Sequence, residues 1–151
     1  MYSKALWGNV CWQLFHSTVS NLKEERVDII RPILIMIASV CRNLPCPDCS
    51  VRASHLVNTL KVNKIKTKAD LITCVYQLHN KVNMHSKAPQ FARKEHDLLY
   101  NDTQLVPIIV KFIQIMQINW PGERNMMYTM SRNRMLKEMM AFYKQNKDAF
   151  N

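Results

Sequence analysis

Apolar residues recur every three or four positions along most of this chain, few stretches alternate apolar with polar, and only two glycines stand among its 151 residues. A helix repeats its buried face about every 3.6 residues and a strand every two, so the pattern predicts an all-α fold. A hydrophobic content of 48% suffices for a core, and the length fits one compact domain with or without an appendage. The most apolar runs, Ile29 to Cys41 and Leu105 to Trp120, are shorter than a membrane span and are interrupted by Arg31 and Lys111. The first helical pattern starts almost at Met1, so no secretory leader is expected and the compartment stays unassigned.

The formal charge of +10 points to an acidic partner or to a solvated basic surface. Residues 1–91 carry 12 basic and 5 acidic side chains and the rest carry 9 and 6, so the excess is not a tail. Neither an aromatic-and-basic platform nor zinc-finger spacing supports specific nucleic-acid recognition.

A first helix is expected over about Lys4 to Leu22, with Leu6, Val10, Phe15 and Val19 as packing positions. Gly8, Trp12 and His16 follow one another at intervals of four and so share one face. An indole and an imidazole beside a gap made by glycine can hold a flat heteroaromatic ligand; they can equally be ordinary core residues. The second helix should run from Glu24 or Val27 to Cys41, with Pro32 near its start, and Ile33, Ile37, Val40 and Leu44 form its buried stripe. A third begins at Cys46 and fades near Leu60, followed by a connector bearing Lys61, Lys64, Lys66 and Lys68. A fourth, Asp70 to about His85, has the stripe Leu71, Val75, Leu78 and Val82. It also carries His79, Asn80 and Asn83 on one side, and polar groups beside an apolar stripe need partners.

Between the second and third helices lies Leu44-Pro45-Cys46-Pro47-Asp48-Cys49. Two thiols separated by two residues at a helix N-terminus favour a thiolate and can close a small reversible disulfide. So short a loop constrains the unfolded chain little, which makes stabilisation a poor reason for the pair. By itself the spacing fits a redox motif, half a zinc site or coincidence. Zinc would need two more ligands, and His16, His55, His79, His85 and His96 show no familiar paired spacing; no metal site is expected.

The ordered set Gly8-x-x-x-Trp12-x-x-x-His16, then Pro45-Cys46-x-x-Cys49, then His79-Asn80-x-Val82-Asn83 resembles the Erv/ALR flavin-linked sulfhydryl oxidases. The resemblance covers about Lys4 to Phe91. It implies a four-helix bundle with a short fifth helix over residues 1–92, holding FAD non-covalently beside the cysteine pair, and a helical C-terminal extension over residues 93–151. It further implies that Trp12 and His16 contact the adenine side of FAD, that His79, Asn80 and Asn83 line it, and that Lys87 and Phe91 stand where the family has a lysine and an aromatic. Arginine often follows the glycine in that family; here it is Asn9, so one ionic contact to the phosphates is either missing or supplied by Lys4, Lys81 or Lys87. No second CxxC exists, and Cys74 matches no structural cysteine of the family. The compact pattern is similar to single-domain oxidases of large DNA viruses, which serve a dedicated substrate protein such as a thioredoxin-like carrier.

The implied chemistry is oxidation of substrate dithiols. A substrate thiolate attacks the Cys46–Cys49 disulfide at Cys46, Cys49 lies against the flavin, and electrons reach dioxygen, giving hydrogen peroxide. The resemblance also implies a homodimer through the first two helices. Two other readings stay open: a zinc-binding interaction module using Cys46 and Cys49, and a basic helical nucleic-acid binder. Cys11, Cys41 and Cys74 read as packing thiols. In the extension, a helix over Leu105 to Trp120 should end at Trp120-Pro121-Gly122. After it, Met126, Met127, Met130, Met135, Met139 and Met140 fall in one helix, either as an adaptable binding face or as filling for an interface, with Arg132, Arg134 and Lys137 on other faces.

Overall fold

The structure, a computed structural model, describes residues 4–90, 92–118 and 126–151. Phe91 and the expected breaker Trp120-Pro121-Gly122 lie outside the described residues. Seven α-helices are described, α1 (Lys4–Asn21), α2 (Ile30–Arg42), α3 (Pro47–Asn58), α4 (Lys68–His85), α5 (Arg93–Tyr100), α6 (Leu105–Met116) and α7 (Met126–Gln145). The fold is all-α, and the described residues contain one isolated bridge, between Leu22 and Phe150, and no strand.

Helix α1 is the central element, packing against both α4 and α6. Its buried set starts at Trp7, Val10, Cys11 and Leu14, a stripe at intervals of three and four. Leu6, expected in the core, is one position off that stripe and stands exposed, while Trp7 takes its place. In α2, Pro32 occupies the first turn, where its missing N–H has no partner to lose. Ile33, Ile37, Val40 and Leu44 are all buried, and this stripe delivers the chain to Cys46. Helix α4 starts two residues before Asp70 because Thr67 caps it. The Asp70 N–H donates to Thr67 Oγ1 at 3.1 Å and the Thr67 N–H to Asp70 Oδ2 at 3.1 Å, so both orphan donors are satisfied.

The extension is built into the same core. Phe112, Ile115 and Met116 of α6 and Met135, Leu136 and Met139 of α7 join one continuous apolar cluster with Leu14, Val19, Ile33 and Ile37. The methionine-rich helix therefore divides: Met135 and Met139 are core, whereas Met126, Met127, Met130 and Met140 are exposed. Arg132, expected on another face, is buried and donates from Nε to the Met116 carbonyl at 3.0 Å. It satisfies a carbonyl that the end of α6 leaves without an intrahelical donor.

The C-terminus is fastened to the end of α1. The Lys23 N–H donates to the Ala149 carbonyl at 2.9 Å, and the Asn151 N–H to the Asn21 carbonyl at 2.8 Å. Deeper in, the Thr18 hydroxyl gives its proton to the Leu14 carbonyl, so in the 2.6 Å contact with Tyr143 the tyrosine O–H is the donor.

Candidate active site

Cys46 is the N-cap of α3 and Pro47 its first residue, an arrangement in which proline sacrifices no hydrogen bond. Cys46 and Cys49 form a disulfide with their Cα atoms 5.1 Å apart. The two sulfurs differ in surroundings. Cys46 is half-buried, and its Sγ accepts the Cys49 N–H at 3.2 Å, so a free helix-terminal donor points at it. Cys49 is only 7% exposed, and the Arg52 guanidinium stands 3.9 Å from its Sγ. Each sulfur, if released as a thiolate, meets a positive or dipolar partner. Arg52 lies three residues beyond Cys49, one helical turn away, a spacing legible in the sequence but overlooked there.

Cys49 forms part of the wall of a cavity of about 530 Å³, a size within the ordinary range for ligand sites. Helix α1 contributes Trp7, Gly8, Cys11 and Trp12, and helix α4 contributes Leu78 and Val82. A Cβ built on Gly8 meets nothing within 4 Å, so the position faces open space that a small side chain would not fill. Cationic and titratable groups also line the cavity: Lys4, Arg52, His55 and His85. Of the lysines expected near phosphate, Lys4 is therefore at the cavity wall, whereas Lys81 and Lys87 are exposed and do not line it.

The remaining expected residues fall behind that wall. His16 is fully buried, and its Nε2 is 2.8 Å from His79 Nδ1. The His79 ring stacks on Trp12 with centroids 4.0 Å apart and planes within 11°. Asn80 is half-buried on the same helix. Asn83 is engaged in ending α4: its Nδ2 donates to the Pro89 carbonyl at 3.2 Å and its carbonyl accepts the Ala88 N–H at 2.8 Å. Lys87 follows with φ 58°, the left-handed conformation that commonly closes a helix.

His16 Nδ1 lies 2.9 Å from Nε2 of His96, and His96 Nδ1 lies 2.9 Å from Oδ1 of Asp97. Neither His96 nor Asp97 was assigned a place in the site by sequence, because nothing in local spacing links α5 to α1. Burial, with His96 and His79 adding repulsion, pushes the His16 pKa down to about 2. Burial and then His96 push that of His79 down to about 4. The hydrogen bond from His96 and the Arg93 guanidinium hold the Asp97 carboxyl below the usual carboxylate range.

These shifts set an acid sensitivity. In the unfolded chain a histidine protonates near pH 6.5, while His16 and His79 stay neutral in the fold to about pH 2 and 4. Stability should thus be full above pH 6.5 and fall as the pH drops, by about 1.4 kcal/mol per pH unit for the fully buried His16. Asp97, whose pKa is depressed, adds to the loss only below about pH 4. Urea midpoints at pH 7.5, 6 and 5 should decline in that order, and identical midpoints would contradict neutral burial of the pair.

Burial pushes the Cys41 thiol up to about 12 and Cys74 up to about 11, and it raises Cys11 with help from Cys41. All three are buried free thiols, poor nucleophiles near neutral pH. Among the described residues no group of three or more histidine, cysteine or acidic side chains converges as a metal site, and no helix is long and apolar enough to cross a membrane.

The sequence pattern of the Erv1 / Alr family matches residues 9–101, more than half of the chain. A protein of Invertebrate iridescent virus 3, named provisionally as FAD-linked sulfhydryl oxidase 096R, is 25% identical over 91 residues. The match covers 59% of this chain and 62% of that relative, less than two thirds of its length. No solved structure gives a comparable match.

Proposed function

The chain belongs to the Erv1 / Alr family, and we propose that it works as an FAD-dependent thiol oxidase that forms disulfide bonds in substrate proteins. The observation that carries this reading is the place of Cys49, at once half of a disulfide on a helix N-terminus and part of the wall of a large cavity. The cavity suits FAD. Trp7, Trp12, Leu56, Leu78 and Val82 offer apolar surface to flat rings, and Lys4 and Arg52 offer charge to a diphosphate. When bound, FAD supplies the two-electron acceptor that links the reduced cysteine pair to dioxygen, with hydrogen peroxide as the product.

The chain's own residues account for the thiol chemistry. A substrate thiolate attacks the more accessible Cys46 sulfur; the Cys46–Cys49 bond breaks, and Cys49 leaves as a thiolate beside Arg52. The substrate is now joined to Cys46 by a mixed disulfide. Its second thiolate attacks its own linked sulfur, closes the substrate disulfide and expels Cys46 as a thiolate, which the Cys49 N–H receives. Both substrate thiols give up their protons along the way. A protein that presents two neighbouring cysteines, such as a thioredoxin-like carrier, meets this requirement.

The resemblance implies pairing of two copies through α1 and α2. Helix α6 packs on α1 and α7 on α2, so a second copy would meet the faces of α1 and α2 that the extension leaves open.

Titration of the flavin-free chain with FAD tests the cofactor assignment. Uptake should quench flavin fluorescence at one FAD per chain. His79→Ala, which removes the ring stacked on Trp12, should weaken it about tenfold. A wild-type chain that takes up no FAD would overturn the oxidase reading.

A further inference from the structure

We propose that Asp97, acting through His96 and His16, fixes the proton positions of His79 and thereby the pose of Trp12, which stacks on His79 and lines the cavity. The inference rests on the cavity being the cofactor site. It assigns a task to α5, none of whose residues lines the cavity.

The direction of the chain follows from what each group can donate. An ionised carboxylate only accepts, so in the 2.9 Å contact with Asp97 the donor is His96 Nδ1–H. With a single proton on His96, held at Nδ1, its Nε2 accepts, and it accepts from His16 Nδ1–H at 2.9 Å. His16, neutral in its buried site, must then accept at Nε2, and the donor at 2.8 Å is His79 Nδ1–H. Three tautomers are fixed by one carboxylate, and the His79 Nε2 lone pair becomes the acceptor end of the chain. The hydrogen bond at one imidazole nitrogen sets the role of the other.

The geometry around the chain leaves it little freedom. Tyr100 stacks on His16 at 4.4 Å, and Tyr76 meets His96 edge-on at 5.4 Å. Arg93 donates from Nε to Asp97 at 2.9 Å and from Nη1 to Thr73 Oγ1 at 2.9 Å, so the carboxylate is itself tied to α4. A buried polar network of this kind fixes orientation when every member is satisfied. Its last ring lies parallel to Trp12, which does line the cavity. Asp97 and His96 are therefore positioning residues, acting on the cavity through His79 and the Trp12 ring stacked on it.

Asp97 is 41% exposed at its side chain, so Asp97→Leu, close in size, should fold while removing the acceptor. Asp97→Asn keeps an oxygen that can receive the His96 proton. Nitrogen-15 spectra of the ligand-free chain above pH 7 should show His16, His79 and His96 as the Nδ1–H tautomer. In Asp97→Leu, His79 should become a mixture and FAD affinity should fall about tenfold, and Asp97→Asn should recover most of both. A merely structural role for Asp97 would leave the tautomers alone. The proposal is overturned if wild-type His79 carries its proton on Nε2, if His79 keeps a single form in Asp97→Leu, or if that variant binds FAD as tightly as wild type. The last result, with a wild type that binds FAD, would leave the oxidase reading standing. A wild type that binds none would defeat both the oxidase reading and the cofactor role of Asp97.

Discussion

Removal of residues 105–151 should leave a chain that no longer folds cooperatively. Helix α6 places Leu105, Phe112, Ile115 and Met116 in the core, and α7 adds Met135, Leu136, Met139 and Tyr143. Burying each such side chain contributes about 1.5–3 kcal/mol, so their sum rivals the whole stability of an ordinary domain, about 5–15 kcal/mol. The shorter chain loses less conformational entropy on folding, which offsets part of this. It also uncovers the α1 surface on which α6 lies and breaks the pairing of Lys23 and Asn21 with the C-terminus. Phe112 is fully buried, and Phe112→Ala alone should cost about 3–5 kcal/mol. Light scattering should give one defined species for the full protein and aggregates for the truncated one. A truncated chain with a cooperative melting transition would show that α1 to α5 suffice.

The helices were legible in the sequence where period and caps agree. Ile33, Ile37, Val40 and Leu44 sit on the buried stripe their spacing predicts, and the cysteine pair opens α3 with Cys46 as its N-cap. Thr67 and Asp70 form a capping box that moves the start of α4 earlier than its apolar stripe suggests. What spacing could not supply is contact between distant elements. Arg132 looked like a surface cation until the end of α6 gave it a carbonyl to bind. His96 and Asp97 read as ordinary polar residues of a short helix, because their link to His16 spans 80 positions. The cavity was legible only in part. Gly8, Trp12 and Cys49 reach it, but His16 lies buried behind the wall and the His79 ring stacks on Trp12.

Cys46→Ser and Cys49→Ser should each abolish turnover, since neither leaves a disulfide for a substrate thiolate to attack, yet they should not be alike. Cys49→Ser retains a thiol at the half-buried N-cap, and an aromatic disulfide reagent should attach to it rapidly as a mixed disulfide. Cys46→Ser retains the thiol that is 7% exposed, and it should react far more slowly. Cys74, buried away from the cavity lining, is the control: Cys74→Ala should keep the wild-type rate. The decisive measurement is oxygen uptake by the FAD-loaded proteins supplied with a small dithiol, with peroxide counted at the end. The wild-type chain and Cys74→Ala should consume one dioxygen and release one peroxide per dithiol oxidised, while either variant of the pair falls by about a thousandfold or more. Wild-type uptake in Cys46→Ser or Cys49→Ser would contradict the claim that electrons enter the cavity through this disulfide.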